Sequence, residues 1–196
     1  MLELLPLPLV NQRPDYTFKY NRHLGRHGWL RLTPAYSVKL VQQLMQKLPS
    51  NTVILDPFSG TATTGLVAAE HGNHAIMFDI NPFLIWFGNL KCRNYNSTNL
   101  KSLEQRSHQV LKSVHRRLES DNWTPAIFNI ERWWSPETLK VLAALRASLV
   151  DEFGEPSSHQ EDDLVWIAFC RLIIETSSAA FNHVSMSFTD TVTPHE

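Results

Sequence analysis

Two cysteines, seven glycines and no pair of adjacent prolines in 196 residues leave several common designs without their parts. Cys92 and Cys170 stand too far apart for a disulfide framework or a zinc-type spacing, so both are expected to be reduced, structural thiols. No apolar run approaches the roughly 18 residues of a membrane span. The opening MLELLPLPLV is apolar but lacks a basic n-region and carries Pro6 and Pro8, so it reads as an arm rather than a signal peptide, and a cytoplasmic protein is expected. Neither G-x-G-x-x-G nor G-K-[ST] occurs, which removes the two common phosphate cradles. A net charge of −1 excludes a whole-molecule attraction for nucleic acid.

What is present is uneven. Residues 12–40 hold Arg13, Lys19, Arg22, Arg26, Arg31 and Lys39 against Asp15 alone, a face suited to phosphates or simply to water. Residues 151–163 hold six acids and no base, and read as an acidic linker. Proline and glycine punctuate residues 1–32, predicting an irregular or extended N-terminal arm. Thr33-Pro34 has the cap-then-proline order that opens a helix, with an apolar stripe of Val38, Leu40, Val41, Leu44, Met45 and Leu48. Thr52–Leu55 reads as a buried parallel strand, Thr63–His71 as a helix ended by Gly72, His74–Phe78 as a second strand, and Asn81-Pro82 as the entry to another helix. Beyond Asn99 helical patterns dominate, one through Leu103 to Leu118, one opened by Ser135-Pro136-Glu137, and one from Leu164 to Ile174. The fold class expected is α/β, a partial Rossmann-like sheet of parallel strands with flanking helices, followed by a mostly helical C-terminal region. The expected division is an arm at 1–32, an α/β cofactor-binding region at 33–98, and a helical region with a polar tail at 99–196.

The chemistry concentrates in the turn Asp56-Pro57-Phe58-Ser59-Gly60-Thr61-Ala62-Thr63-Thr64 between first strand and helix. Gly60 allows close approach of backbone to a ligand, and Ala62 stands where a second glycine is expected. Asp79 follows Gly60 by 19 positions at the end of the second strand, the spacing at which a carboxylate accepts ribose hydroxyls. Asp56 would repel a pyrophosphate but suits an ammonium. S-adenosylmethionine combines the ribose, the ammonium and a transferable methyl group.

The segment DPFSGTATTGLVAAEHG resembles motif I of the amino-methylating DNA methyltransferases, whose usual form is DPFxGxGTT, and FDINP at 78–82 resembles their motif II. RHGWLRLTPAYSVKLV at 26–41 resembles motif X, and RWWSPETLKVLAALRASL at 132–149 the helical stretch after the cofactor half in one branch. The resemblance implies a fold that binds S-adenosylmethionine and a DNA substrate methylated on an exocyclic amine of cytosine or adenine, within restriction–modification. It assigns cofactor contacts to Asp56, Phe58, Gly60, Thr63, Thr64, Asp79 and Asn81, with Thr33, Pro34 and Ala35 on the motif X side. Ala62 departs from the family's glycine.

The resemblance also implies a [DNS]-P-P-[YF] turn, whose side-chain oxygen and backbone carbonyl accept the amine's two N–H bonds while its aromatic ring stacks on the flipped base. With no adjacent prolines, this chain has none, and no catalytic residue is assigned. No Pro-Cys dipeptide supports a cysteine nucleophile either. A Met1 start and an end near the point where the catalytic half would begin favour a split subunit or a fragment, with a second polypeptide or a missing C-terminal half as partner. A cofactor-binding but catalytically dead domain is the third possibility. Two other functions remain, an RNA guanine-N2 methyltransferase fragment sharing the DPFxGxGT turn, and a non-catalytic interaction protein on the same scaffold. His23 and His27 are poor metal ligands beside Gly25 and Gly28, and no metal is expected. Trp133-Trp134 with Trp123 reads first as core, second as a base-stacking platform.

Overall fold

The computed structural model describes residues 14–30, 35–157, 161–180 and 187–188, and the chain divides into two units, Met1–Cys92 and Arg93–Glu196. In the first unit, residues expected to be irregular instead form three short 3-10 turns, Pro14–Tyr16, Phe18–His23 and Gly25–Gly28. Gly28 is required by space, since a Cβ there would lie 2.3 Å from the Arg22 carbonyl oxygen. Asn21, 1% exposed, sews these turns to the next element: its Nδ2 donates to the Tyr36 carbonyl and its Oδ1 accepts from the Val38 N–H at 2.8 Å. Most of the predicted arm and polar tail lies outside the described residues.

Helix α1 runs Val38–Met45, and its cap is Ser37 rather than Thr33-Pro34. Ser37 Oγ accepts from the Lys39 N–H at 3.1 Å and donates to the Asp15 carbonyl at 2.6 Å, so a tertiary partner decides between two local capping signals. Only half of the predicted stripe is buried. Val38, Val41 and Met45 form a core with Val67 and Ala68, while Leu40, Leu44 and Leu48 face outward.

Strand β1 (Val53–Asp56) pairs in parallel with β2 (His74–Met77), in the register Val53 opposite His74 through Asp56 opposite Met77. The connection is helix α2, Thr63–Glu70, and Gly72 at φ +69° closes it in the left-handed conformation expected. Alternation places Ile54 and Ala75 against the α1–α2 core. The other face is uncovered: Val53 and Leu55 are 61% and 63% exposed, and Ile76 is 51% exposed. The expectation of a buried parallel strand is therefore corrected, because among the described residues of this unit helices cover one face alone. Helix α3, Pro82–Cys92, completes the unit and packs beside α2.

In the second unit, α4 (Ser97–Arg117) packs on α5 (Pro136–Phe153), and α6 (Asp163–Glu175) follows. A two-residue antiparallel pair, β3 (Ala179–Ala180) with β4 (Ser187–Phe188), ends the described chain. The supposed acidic linker is shorter than read, since Asp151–Phe153 belong to α5 and Asp163 opens α6. Its acids work structurally. Arg106 on α4 donates to Glu152 Oε1 and the Glu152 carbonyl, contacts both Asp162 oxygens, and lies 4.3 Å from the centre of the Phe153 ring. Of the three tryptophans read together, Trp134 is buried, with Nε1 donating to the Ile173 carbonyl, while Trp133 is half-buried and Trp123 is 60% exposed.

The α5 start follows the sequence closely. Ser135 Oγ accepts from the Thr138 N–H at 3.2 Å, and Pro136 occupies the first turn. Ser135→Ala is expected to lower unfolding stability by about 1 kcal/mol, read as a reduced urea midpoint with unchanged slope.

Candidate cofactor site

The β1–α2 turn is built by its own backbone. Phe78 N–H donates to the Asp56 carbonyl and Ser59 N–H to the Phe78 carbonyl, each at 2.9 Å, stitching the turn to the end of β2. Ala62 N–H donates to the Ser59 carbonyl at 2.8 Å. Gly60 sits at φ +50° and Ala62 at φ +56°, so the turn carries two left-handed residues in three positions. Glycine adopts that region freely, but alanine does not.

A cavity of about 390 Å³ opens over this turn, within the roughly 300–1,000 Å³ typical of small-molecule sites. Gly60, Thr63, Asp79, Asn81, Ala35 and Phe58 line it. These are the predicted positions the structure brings together. Phe58 is 84% exposed, a flat apolar surface presented at the rim. Asp79 is held rigidly: Oδ2 accepts from the Gly60 N–H at 2.9 Å and Oδ1 from the Asn81 N–H at 2.8 Å. Each oxygen keeps a second lone pair, so the carboxylate can still accept from a ligand diol. Asn81 Oδ1 in turn accepts from the Phe83 N–H at 3.0 Å, capping the entry to α3.

Two predicted residues lie behind the wall rather than on it. Asp56 is buried, with Oδ1 accepting from the Phe58 N–H at 3.1 Å and Oδ2 from the Tyr36 hydroxyl at 2.8 Å. Thr64 Oγ1 lies 2.9 Å from the same hydroxyl. Burial and the Asp56 charge raise the Tyr36 pKa, so the phenol stays protonated and donates. Thr33 and Pro34 lie outside the described residues.

Sequence reasoning missed Tyr36, Ser59, Thr61, Phe83 and Leu84, which also line the cavity. The signal for two of them was present, because Asn81-Pro82 opens a helix whose first turn must face the same side as Asn81. Tyr36 carried no signal of its own; its role depends on meeting Asp56 from 20 positions away.

The donor set fits S-adenosylmethionine. A fixed carboxylate suits a ribose, the aromatic and aliphatic side chains of Phe58, Phe83 and Leu84 suit an adenine ring, and no described group is arranged to grip a pyrophosphate. Bound there, the cofactor would supply an electrophilic methyl group. Among the described residues there is no cluster of His, Cys, Asp or Glu able to hold a metal ion, and no helix long and apolar enough to cross a membrane.

Residues 38–128, just under half of the chain, match the family model of D12 class N6 adenine-specific DNA methyltransferases. A 68-residue stretch covering 34% of the chain is 37% identical to Type II methyltransferase M.BsoBI of Geobacillus stearothermophilus. The match spans only 13% of that relative's length. No solved structure gives a significant match. These matches, the first of which includes the β1–α2 turn, make residues 38–128 similar to the D12 class N6 adenine-specific DNA methyltransferases.

Proposed function

We propose that this chain is the S-adenosylmethionine-binding portion of a DNA methyltransferase that modifies an exocyclic amine, serving restriction–modification. The observation that carries the reading is the juxtaposition of the Gly60 turn with Asp79, joined by the Gly60 N–H to Asp79 Oδ2 bond across 19 positions. Asp79 would accept the ribose hydroxyls, Phe58 and Phe83 would flank the adenine, and Gly60, Thr63, Asn81 and Ala35 would close around the remainder. Asp56 and Thr64 would act through Tyr36 rather than by direct contact. The family description favours the adenine N6 amine over the cytosine N4 amine.

Methyl transfer forms an N–C bond, breaks the sulfonium C–S bond and releases the amine proton. A group must accept N–H bonds at the target, and the chain has no [DNS]-P-P-[YF] turn to do so. That turn is proposed to come from another polypeptide or a further segment, and the uncovered parallel sheet supports the reading. Parallel strands are ordinarily buried on both faces, whereas Val53, Leu55 and Ile76 are open. Calorimetric titration with S-adenosylmethionine tests the cofactor half: saturable binding at one site per chain is expected, and its absence would overturn the proposal. Labelled-methyl transfer to adenine-containing duplex DNA should be negligible for the chain alone and appear on adding a polypeptide that bears the proline-proline turn.

A further inference from the structure

Helix α3 does more than frame the cavity. Phe83, Phe87 and Lys91 recur at intervals of four, so one stripe of the helix leads from the cavity into the interior. Phe83 and Phe87 stack with ring centres 6.3 Å apart. Lys91, which should reach solvent from a last helical turn, is instead 1% exposed. Its Nζ donates to the Thr61 carbonyl at 2.7 Å, 30 positions away, inside the cofactor turn. One turn earlier, Gly88 faces Ala62: a Cβ on Gly88 would come 2.9 Å from the Ala62 Cβ. The two contacts fall on neighbouring atoms of the turn, the Thr61 carbonyl and the Ala62 Cβ.

A buried ammonium is costly, and desolvation draws the Lys91 pKa down to about 8. A left-handed alanine is likewise unfavourable. Two unfavourable features in contact suggest that each is kept for the other. We infer that Lys91 and Gly88 are positioning residues that lock the Thr61-Ala62 peptide in its left-handed, cofactor-receiving conformation, doing through contacts from α3 what a glycine at position 62 would do by itself. The inference deepens the cofactor-binding reading and, for its functional consequence, rests on it.

The arrangement makes a sign prediction. Gly88→Ala should destabilise the parent protein, where the two methyl groups collide, but stabilise an Ala62→Gly background, where the space is free and alanine is the better helix former. Lys91→Met should weaken S-adenosylmethionine binding about tenfold in the parent, as expected for losing a charge-assisted hydrogen bond. Adding Ala62→Gly should restore most of that affinity. The measurements are urea unfolding without cofactor and calorimetric titration with S-adenosylmethionine, each on the parent, the single variants and the doubles, with circular dichroism confirming the folded state. A Gly88→Ala effect of the same sign in both backgrounds, or a Lys91→Met affinity loss that Ala62→Gly leaves in place, would overturn the inference. An unchanged affinity in folded Lys91→Met, with the parent binding normally, would do the same. Should the parent bind no cofactor, the proposed function falls, while the unfolding series still decides whether the lock exists.

Discussion

Asp79→Ala is expected to reduce S-adenosylmethionine affinity at least about a hundredfold, measured by calorimetric titration against the parent protein. Two losses combine. The ribose diol loses a charged acceptor, and the Gly60 and Asn81 N–H groups lose the carboxylate that holds them at 2.9 and 2.8 Å. Because Gly60 and Asn81 both line the cavity, the second loss loosens the cavity itself. Asp79→Asn separates the two effects: the amide keeps an oxygen and much of the packing, so it should retain more affinity than alanine. Equal affinity in Asp79→Ala and parent would place the cofactor elsewhere.

The second large effect concerns pH. His27 is buried with neither ring nitrogen hydrogen-bonded among the described residues, and its pKa falls to about 4, chiefly by desolvation and then by the Lys91 charge. Glu70 Oε1 lies 3.6 Å from Nε2, too long to serve as a hydrogen bond and half exposed, so it does not offset the burial. The unfolded chain binds the proton near pH 6.5 and the folded chain only near pH 4. Between these values the unfolded state holds more protons, so stability is full above pH 6.5 and declines as pH falls toward 4. The decline amounts to about 3 kcal/mol. Urea midpoints across pH 7 to 4 should show it, and His27→Gln should remove this component while leaving the carboxylate transitions below it. A midpoint flat over that range in the parent would show that His27 is protonated without penalty.

Several elements were legible because local chemistry agreed with the final fold. Ser135-Pro136 capped α5 as read, Gly72 ended α2, and the 19-residue step from Gly60 to Asp79 marked two ends of one hydrogen bond. Legibility failed where distant residues decided. Ser37 prevailed over Thr33-Pro34 because Asp15 and Asn21 reach the start of α1. Periodicity assigned Leu40, Leu44 and Leu48 to the core together with Val38, Val41 and Met45, and only the actual neighbours divide the two sets. Asp56 was read as a ligand carboxylate, and its proton donor Tyr36 could not be paired with it from spacing. Lys91 was invisible, since a lysine at the end of an apolar helix is ordinarily solvated.

The open side of the β1–β2 sheet has a practical consequence for handling the protein. Val53, Leu55 and Ile76 form an adhesive strip beside strands whose outer backbone groups have no partner strand among the described residues. Such a surface recruits whatever extended or apolar chain is at hand, including another copy. The sedimentation behaviour of the purified chain should therefore depend on its concentration, and its yield in soluble form should improve when the proposed second polypeptide is produced alongside it.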